Sequence, residues 1–252
     1  MAFKTDGSTH TSGINNELNT IKLLNEHFQF SEPLEHLGGT KNKADADNSS
    51  RSNPYSIKEK QGLKNGSFDW VNTSRTEMLV SPERFAEFFA LMRTVREWET
   101  DRRAAMVDEI RDLFAELCDN ALKAIDSQAL TAWLQAELIN ANHGMSMAIT
   151  DTKAARCYVM SHDAILAAKL LAAGYVARIE TGKGSTSRKV VLVKGSEVVE
   201  CGLRLRVTSN NGIKAFMGLS KANRNSQVVL KLQQDRVDQL VATASNVTEI
   251  AF

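Results

Sequence analysis

The run at residues 38–74, GGTKNKADADNSSRSNPYSIKEKQGLKNGSFDWVNTS, constrains this chain most. Residues 41–53 are almost all polar turn formers. They lead into a short strand-like piece, Tyr55-Ser56-Ile57-Lys58-Glu59-Lys60. Alternation on a strand puts Ser56, Lys58 and Lys60 on one face and Ile57 and Glu59 on the other. Asp45 and Asp47 precede the strand by about one loop length. The segment therefore predicts a loop carrying carboxylates beside a strand carrying lysines.

An aspartate, a gap and a lysine on a strand form the skeleton of a metal-dependent phosphodiesterase. The aspartate holds Mg²⁺, which polarises phosphate and acidifies a bound water. The lysine stabilises charge on the attacked phosphoryl oxygens or positions the attacking water. Two residues before such a lysine a second acid normally shares its face; here that place is Ser56. Asp45 is the first candidate ligand and Asp47 the reserve, since a two-residue offset keeps the same face. The competing register makes Lys60 the catalytic lysine and leaves Lys58 in the acid's place. If Ser56 cannot neutralise a metal, Glu17 and Asp69 are the compensating acids.

These residues resemble the PD-(D/E)XK nuclease superfamily, and more closely small type II restriction endonucleases that cut short GC-containing sites. Gly13-Ile14-Asn15-Asn16-Glu17 looks like their acidic opening helix. Gly39-Thr40-Lys41-Asn42-Lys43-Ala44-Asp45 looks like the loop delivering the first metal-binding aspartate. Ser56-Ile57-Lys58 looks like the variant third motif, with a polar residue in place of the acid. The resemblance implies an α/β (α+β) fold, with a core of mixed sheet flanked by helices. It also implies hydrolysis of double-stranded DNA to 5′-phosphate and 3′-hydroxyl ends, with Asp45, Ser56, Lys58 and Glu17 at the site. The metal ligands would be Asp45, Glu17 and Asp47.

Along the chain, Ile14, Leu18, Ile21, Leu24 and Phe28 follow helical spacing, with Glu17 on the same face. Residues 81–142 read as helices, with stripes Met106, Ile110, Leu113, Leu117 and Leu130, Trp133, Leu134, Leu138. Ser161 caps a helix that Gly174 ends. Strands at 175–180 and 189–193 then bracket the turn TGKGSTSR. Residues 203–235 alternate as in an antiparallel sheet, with Asn210-Asn211-Gly212 as a tight turn. The expected organisation is a nuclease core with a helical insertion over 1–155, then a helix-hairpin and β-rich DNA-binding region over 156–252.

Charge is unevenly spread. Residues 83–126 hold 7 basic and 11 acidic side chains, a net of −4, whereas residues 178–236 hold 12 basic and 4 acidic, a net of +8. That surplus points to a nucleic-acid face in the C-terminal third. Lys183 and Arg188, in a glycine-rich turn, suit phosphates. Arg204, Arg206, Asn210, Asn211, Lys214, Lys221 and Arg224 suit base edges and backbone. Three cysteines without CxxC and five scattered histidines give no zinc or disulfide framework. With no signal peptide and no spanning apolar run, the chain reads as cytoplasmic. A monomer nicking each strand in turn and a homodimer matching a palindrome both remain open. So do a structure-selective or phage-borne nuclease with the same core and a DNA-binding protein whose nuclease centre has decayed.

Overall fold

The computed structural model describes residues 8–38, 44–60, 67–73, 86, 90–91, 93–95, 97–180, 187–206, 228–233 and 236–252. The fold is mixed α/β, with two separate sheets. Two compact units divide it. The first is Met1–Phe68, Gln135–Ala173 and Gln233–Phe252; the second is Asp69–Leu134 and Gly174–Leu232. The units are interleaved in sequence, whereas the expected division is a single cut after residue 155. Such a cut would pass through the turn that joins two paired strands at Asp151 and Arg156.

The first unit opens with α1 (Ser8–Phe28). Strands β1 (Glu35–His36), β2 (Ala46–Asp47) and β3 (Tyr55–Lys60) follow as an antiparallel meander. Strand β5 (Ser146–Asp151) lies parallel to β3, which is possible because the chain leaves the sheet for the whole second unit's first segment in between. Strands β6 (Arg156–Ser161) and β11 (Thr248–Ala251) complete the order β1-β2-β3-β5-β6-β11.

One face of this sheet packs on α1. Ile21 and Leu24 are buried in one cluster with Ala46, Tyr55, Ile57, Ala148, Cys157, Val159 and Ile250. Thr20 is buried too, and its hydroxyl meets that of Thr150 at 2.8 Å. The buried stripe runs through Thr20, Ile21 and Leu24, so Leu18, expected inside, is 47% exposed. The helix has turned by about one position relative to its apolar pattern, and Thr20 can be buried because its hydroxyl finds a partner. On the other face Met147, Ile149 and Met160 are also buried. A sheet covered on both faces explains why Met147, Ala148 and Ile149 follow one another on β5 without polar alternation.

After β6, the Ser161 hydroxyl accepts from the Asp163 N–H, a 3₁₀ turn follows (His162–Ala164), and α5 (Leu166–Ala172) ends before Gly174 at φ +84°. The expected glycine stop is present, whereas Ser161 caps the 3₁₀ turn and Ile165, with no side-chain cap bond, stands at the start of α5. Helix α6 (Val237–Thr243) precedes β11.

The second unit holds α2 (Thr100–Ala105), α3 (Val107–Lys123) and α4 (Ser127–Leu134). Its sheet contains β4 (Ser67–Thr73), β7 (Val176–Ile179), β8 (Ser187–Lys194), β9 (Glu197–Arg206) and β10 (Val228–Gln233), in the order β4-β10-β9-β8-β7. Ile110 and Phe114, rather than the expected Leu113, are buried on α3. The expected α4 stripe of Leu130, Trp133 and Leu134 is buried. Among the described residues no helix is long and apolar enough to cross a membrane.

Asp119 on α3 and Arg188 on β8 are 2% and 8% exposed and form an ion pair through the guanidinium. Lys123 adds a second contact to Asp119 at 2.7 Å. Arg188→Ala leaves the buried Asp119 carboxylate held by Lys123 and should cost about 3 kcal/mol, the lower end for a broken buried pair. The double change Asp119→Leu/Arg188→Met should recover most of that loss. Urea midpoints at constant slope measure both; a single variant as stable as the parent would remove this pair from the list of structural supports.

Candidate functional site

Asp45 stands between two strands. Its carbonyl accepts from the Leu37 N–H at 3.0 Å, and its own N–H donates to the Tyr55 carbonyl at 2.8 Å. The β2–β3 ladder stops at the pair Ala46↔Tyr55. One pair further, the Ile57 N–H donates not to a backbone carbonyl but to Asp45 Oδ2, at 2.6 Å. The same oxygen lies 3.4 Å from Ser56 Oγ and 3.6 Å from Lys58 Nζ. Carboxylate, hydroxyl and ammonium thus converge where the two strands part. Ser56 is buried, while the side chains of Asp45 and Lys58 keep about a quarter of their surface exposed. The structure therefore assembles Asp45, Ser56 and Lys58.

Lys60 goes elsewhere. Its ammonium pairs with buried Asp151, directly across on β5, at 2.9 Å, and with Asp238 of α6 at 3.4 Å. The hydrogen bond it donates to Asp151 leads the causes that raise its pKa. Asp151 also accepts the N–H groups of Lys153 and Ala154, so this cluster ties a hairpin turn to two strands. The geometry favours Lys58 over Lys60 as the lysine at Asp45.

Glu17 does not join this group. It sits on the α1 side of the sheet, and its Oε2 meets His36 Nε2 at 2.6 Å. Alternation places Lys58 on the opposite face from Ile57, the residue that packs towards α1. Asp47 is also diverted. It is buried, and its Oδ1 accepts from the N–H groups of Asn48 and Asn53, closing the β2–β3 loop. Among the described residues no three His, Cys, Asp or Glu side chains gather into a set that could hold a metal ion. Asp45, its reserve Asp47 and the compensating acid Glu17 thus occupy three different places. Mg²⁺ nonetheless needs only one or two carboxylates and keeps several waters. Asp45, with Oδ1 outside the contacts named above, fits that reduced role beside the Ser56 hydroxyl.

Two histidines were invisible as site residues. His36 falls in a connector, and only the strand pairing His36↔Ala46 brings it under Glu17. His162 follows the Ser161 cap, is 1% exposed, and donates its backbone N–H to the Met145 carbonyl. Burial first, and the positive charge of Lys58 second, push its pKa down to about 4. It is therefore a neutral imidazole near Lys58 at ordinary pH. No spacing in the sequence signals either residue.

Arg188 is not a phosphate contact, because its guanidinium is spent on Asp119 inside the second unit. Arg204 and Arg206 alternate with buried Leu203 and Leu205 on β9, so both stand on the wetter face of that sheet. Lys189 pairs with Arg204 across β8 and β9, and its ammonium contacts Glu200 at 3.1 Å. Lys183, Asn210, Asn211, Lys214, Lys221 and Arg224, like most of the loop before Asp45, lie outside the described residues. The buried thiols of Cys157 and Cys201 are pushed up to about 11 and about 12 by desolvation, as befits core residues. No family model, curated protein or solved structure matches the chain.

His162 binds a proton more readily unfolded than folded. Its stabilising effect is complete above about pH 6.5 and should be lost as pH falls towards about 4. His162→Phe should flatten that stretch of the stability–pH curve, measured by urea unfolding; an identical slope in the variant would assign the acid lability to other groups. Glu17, held by His36, should be replaceable by glutamine without changing the Mg²⁺ concentration needed for any cleavage. A clear rise in that requirement would return Glu17 to the metal.

Proposed function

We propose that this chain is a Mg²⁺-dependent endonuclease that hydrolyses phosphodiester bonds in double-stranded DNA, of the kind found in type II restriction systems. The observation that carries the reading is the convergence of Asp45, Ser56 and Lys58 at the parting of β2 and β3. A mixed sheet with α1 on one face, the architecture that the resemblance to PD-(D/E)XK nucleases implies, supports it.

In this reading Asp45 holds the cation, which when bound would polarise the scissile phosphate and lower the pKa of a water. The Ile57 N–H and the Ser56 hydroxyl fix the Asp45 carboxylate from the strand side, so its free oxygen has one direction to face. Lys58, already within 3.6 Å of Asp45, supplies the positive charge that the phosphoryl oxygens need as negative charge builds on them. Ser56 lines the site without adding charge. Arg204 and Arg206 add a basic strand face in the second unit for duplex DNA.

The sparse acid count favours one second reading, a DNA-binding protein whose nuclease centre has lost activity. Plasmid cleavage against Mg²⁺ separates the two. Asp45→Asn and Lys58→Ala should each slow cleavage by orders of magnitude while leaving the melting temperature and most duplex binding in place. Near-normal cleavage by Lys58→Ala would end the reading of this centre. Duplex binding by the parent without any cleavage would establish the second one.

A further inference from the structure

We propose that the loop between β2 and β3 presents Arg51 as a contact for a backbone phosphate of the nucleic acid, flanking the Asp45–Lys58 centre; this rests on the nuclease reading above. Arg51 is exposed and has φ +57°, the left-handed region that residues with a Cβ seldom adopt. The loop around it is heavily built. Asp47 Oδ1 accepts the Asn48 and Asn53 N–H groups, and Asn48 Oδ1 accepts the Ser52 N–H at 2.9 Å. The Arg51 N–H itself donates to the Asn48 carbonyl at 3.1 Å. From outside, Glu32 Oε2 accepts the Ser49 hydroxyl at 2.9 Å and the Ser50 N–H at 3.1 Å.

Asp47 and Asn48, the clamping residues, are buried, whereas residues 49–52 are exposed. The contacts that hold the loop are made by its neighbours and by the Arg51 backbone, not by the guanidinium. Glycine or asparagine would satisfy the left-handed turn with less strain. An arginine there is a side chain held out by a rigid frame, and strain maintained by such a frame points to a use for the side chain. Its surroundings fit phosphate. Arg51 is the only charged residue between Asp47 and Lys58, and beside it the Ser50 and Ser52 hydroxyls are hydrogen-bonded to each other at 2.9 Å, with Glu32 the carboxylate that reaches the loop, at Ser49 and Ser50. Arginine and serine hydroxyls are common partners of phosphate oxygens. Arg51 is six residues along the chain from Asp45, with only Ala46 and Asp47 between them in strand, so the tip lies within ~20 Å of it at ~3.3 Å per residue.

The test uses the full chain, a labelled DNA duplex without Mg²⁺, anisotropy across a salt series, and thermal melts. Arg51→Gly should weaken binding about 5- to 10-fold and reduce the salt slope by about one. Its melting temperature should stay level or rise by up to about 3 °C, because glycine relieves the left-handed strain. Arg51→Lys should keep most of the binding. Parental affinity and slope in Arg51→Gly would overturn the inference alone. Joint loss of binding and melting temperature in both variants would make Arg51 a structural residue and overturn it as well. A parent chain that does not bind duplex DNA would overturn the nuclease reading, and this inference with it.

Discussion

The hydrogen bond from the Ile57 N–H to Asp45 Oδ2 is the contact on which the candidate centre depends. An antiparallel pair would normally continue with backbone groups alone. Here a side-chain carboxylate takes over the ladder one pair beyond Ala46↔Tyr55. Because the acceptor is charged, the bond is stronger than the one it replaces. It also parts the strands at that point and turns a structural position into a polar one. Ser56 and Lys58 then meet the same oxygen simply because they alternate along β3.

Burial sorts the remaining charges. Lys60 and Asp151 face each other across the parallel pair β3–β5, where each offsets the desolvation of the other. Asp119 and Arg188 do the same in the second unit. Lys58 instead meets Asp45 where β2 and β3 part, and that carboxylate stays about a quarter exposed. Buried His162 is uncharged and so adds no positive charge beside Lys58. The two lysines are about equally exposed, and what separates them is the carboxylate each meets, 27% exposed for Asp45 and 7% for Asp151.

The second unit's sheet puts its charge to a different use. Leu203 and Leu205 turn inwards, which obliges Arg204 and Arg206 to turn out. An alternating strand with one buried face presents its basic residues as a row at fixed spacing.

The mixed α/β class was what the family resemblance implied; by itself the sequence determined the opening helix with a carboxylate on its buried face, the capping hydroxyl of Ser161, the Gly174 stop and the strand of Tyr55 to Lys60. Each rests on local periodicity or on one residue's backbone preference, which neighbours in the chain suffice to express. It also marked Asp45 with Lys58, because a strand's alternation carries over a few residues. Tertiary structure alone decided the rest. Glu17 met His36 through a strand pairing, Asp47 turned into its own loop, and Arg188 was drawn inside by Asp119, 69 positions away. A charged residue's role depends on which opposite charge and how much water surround it once the chain has closed, and no local pattern encodes either.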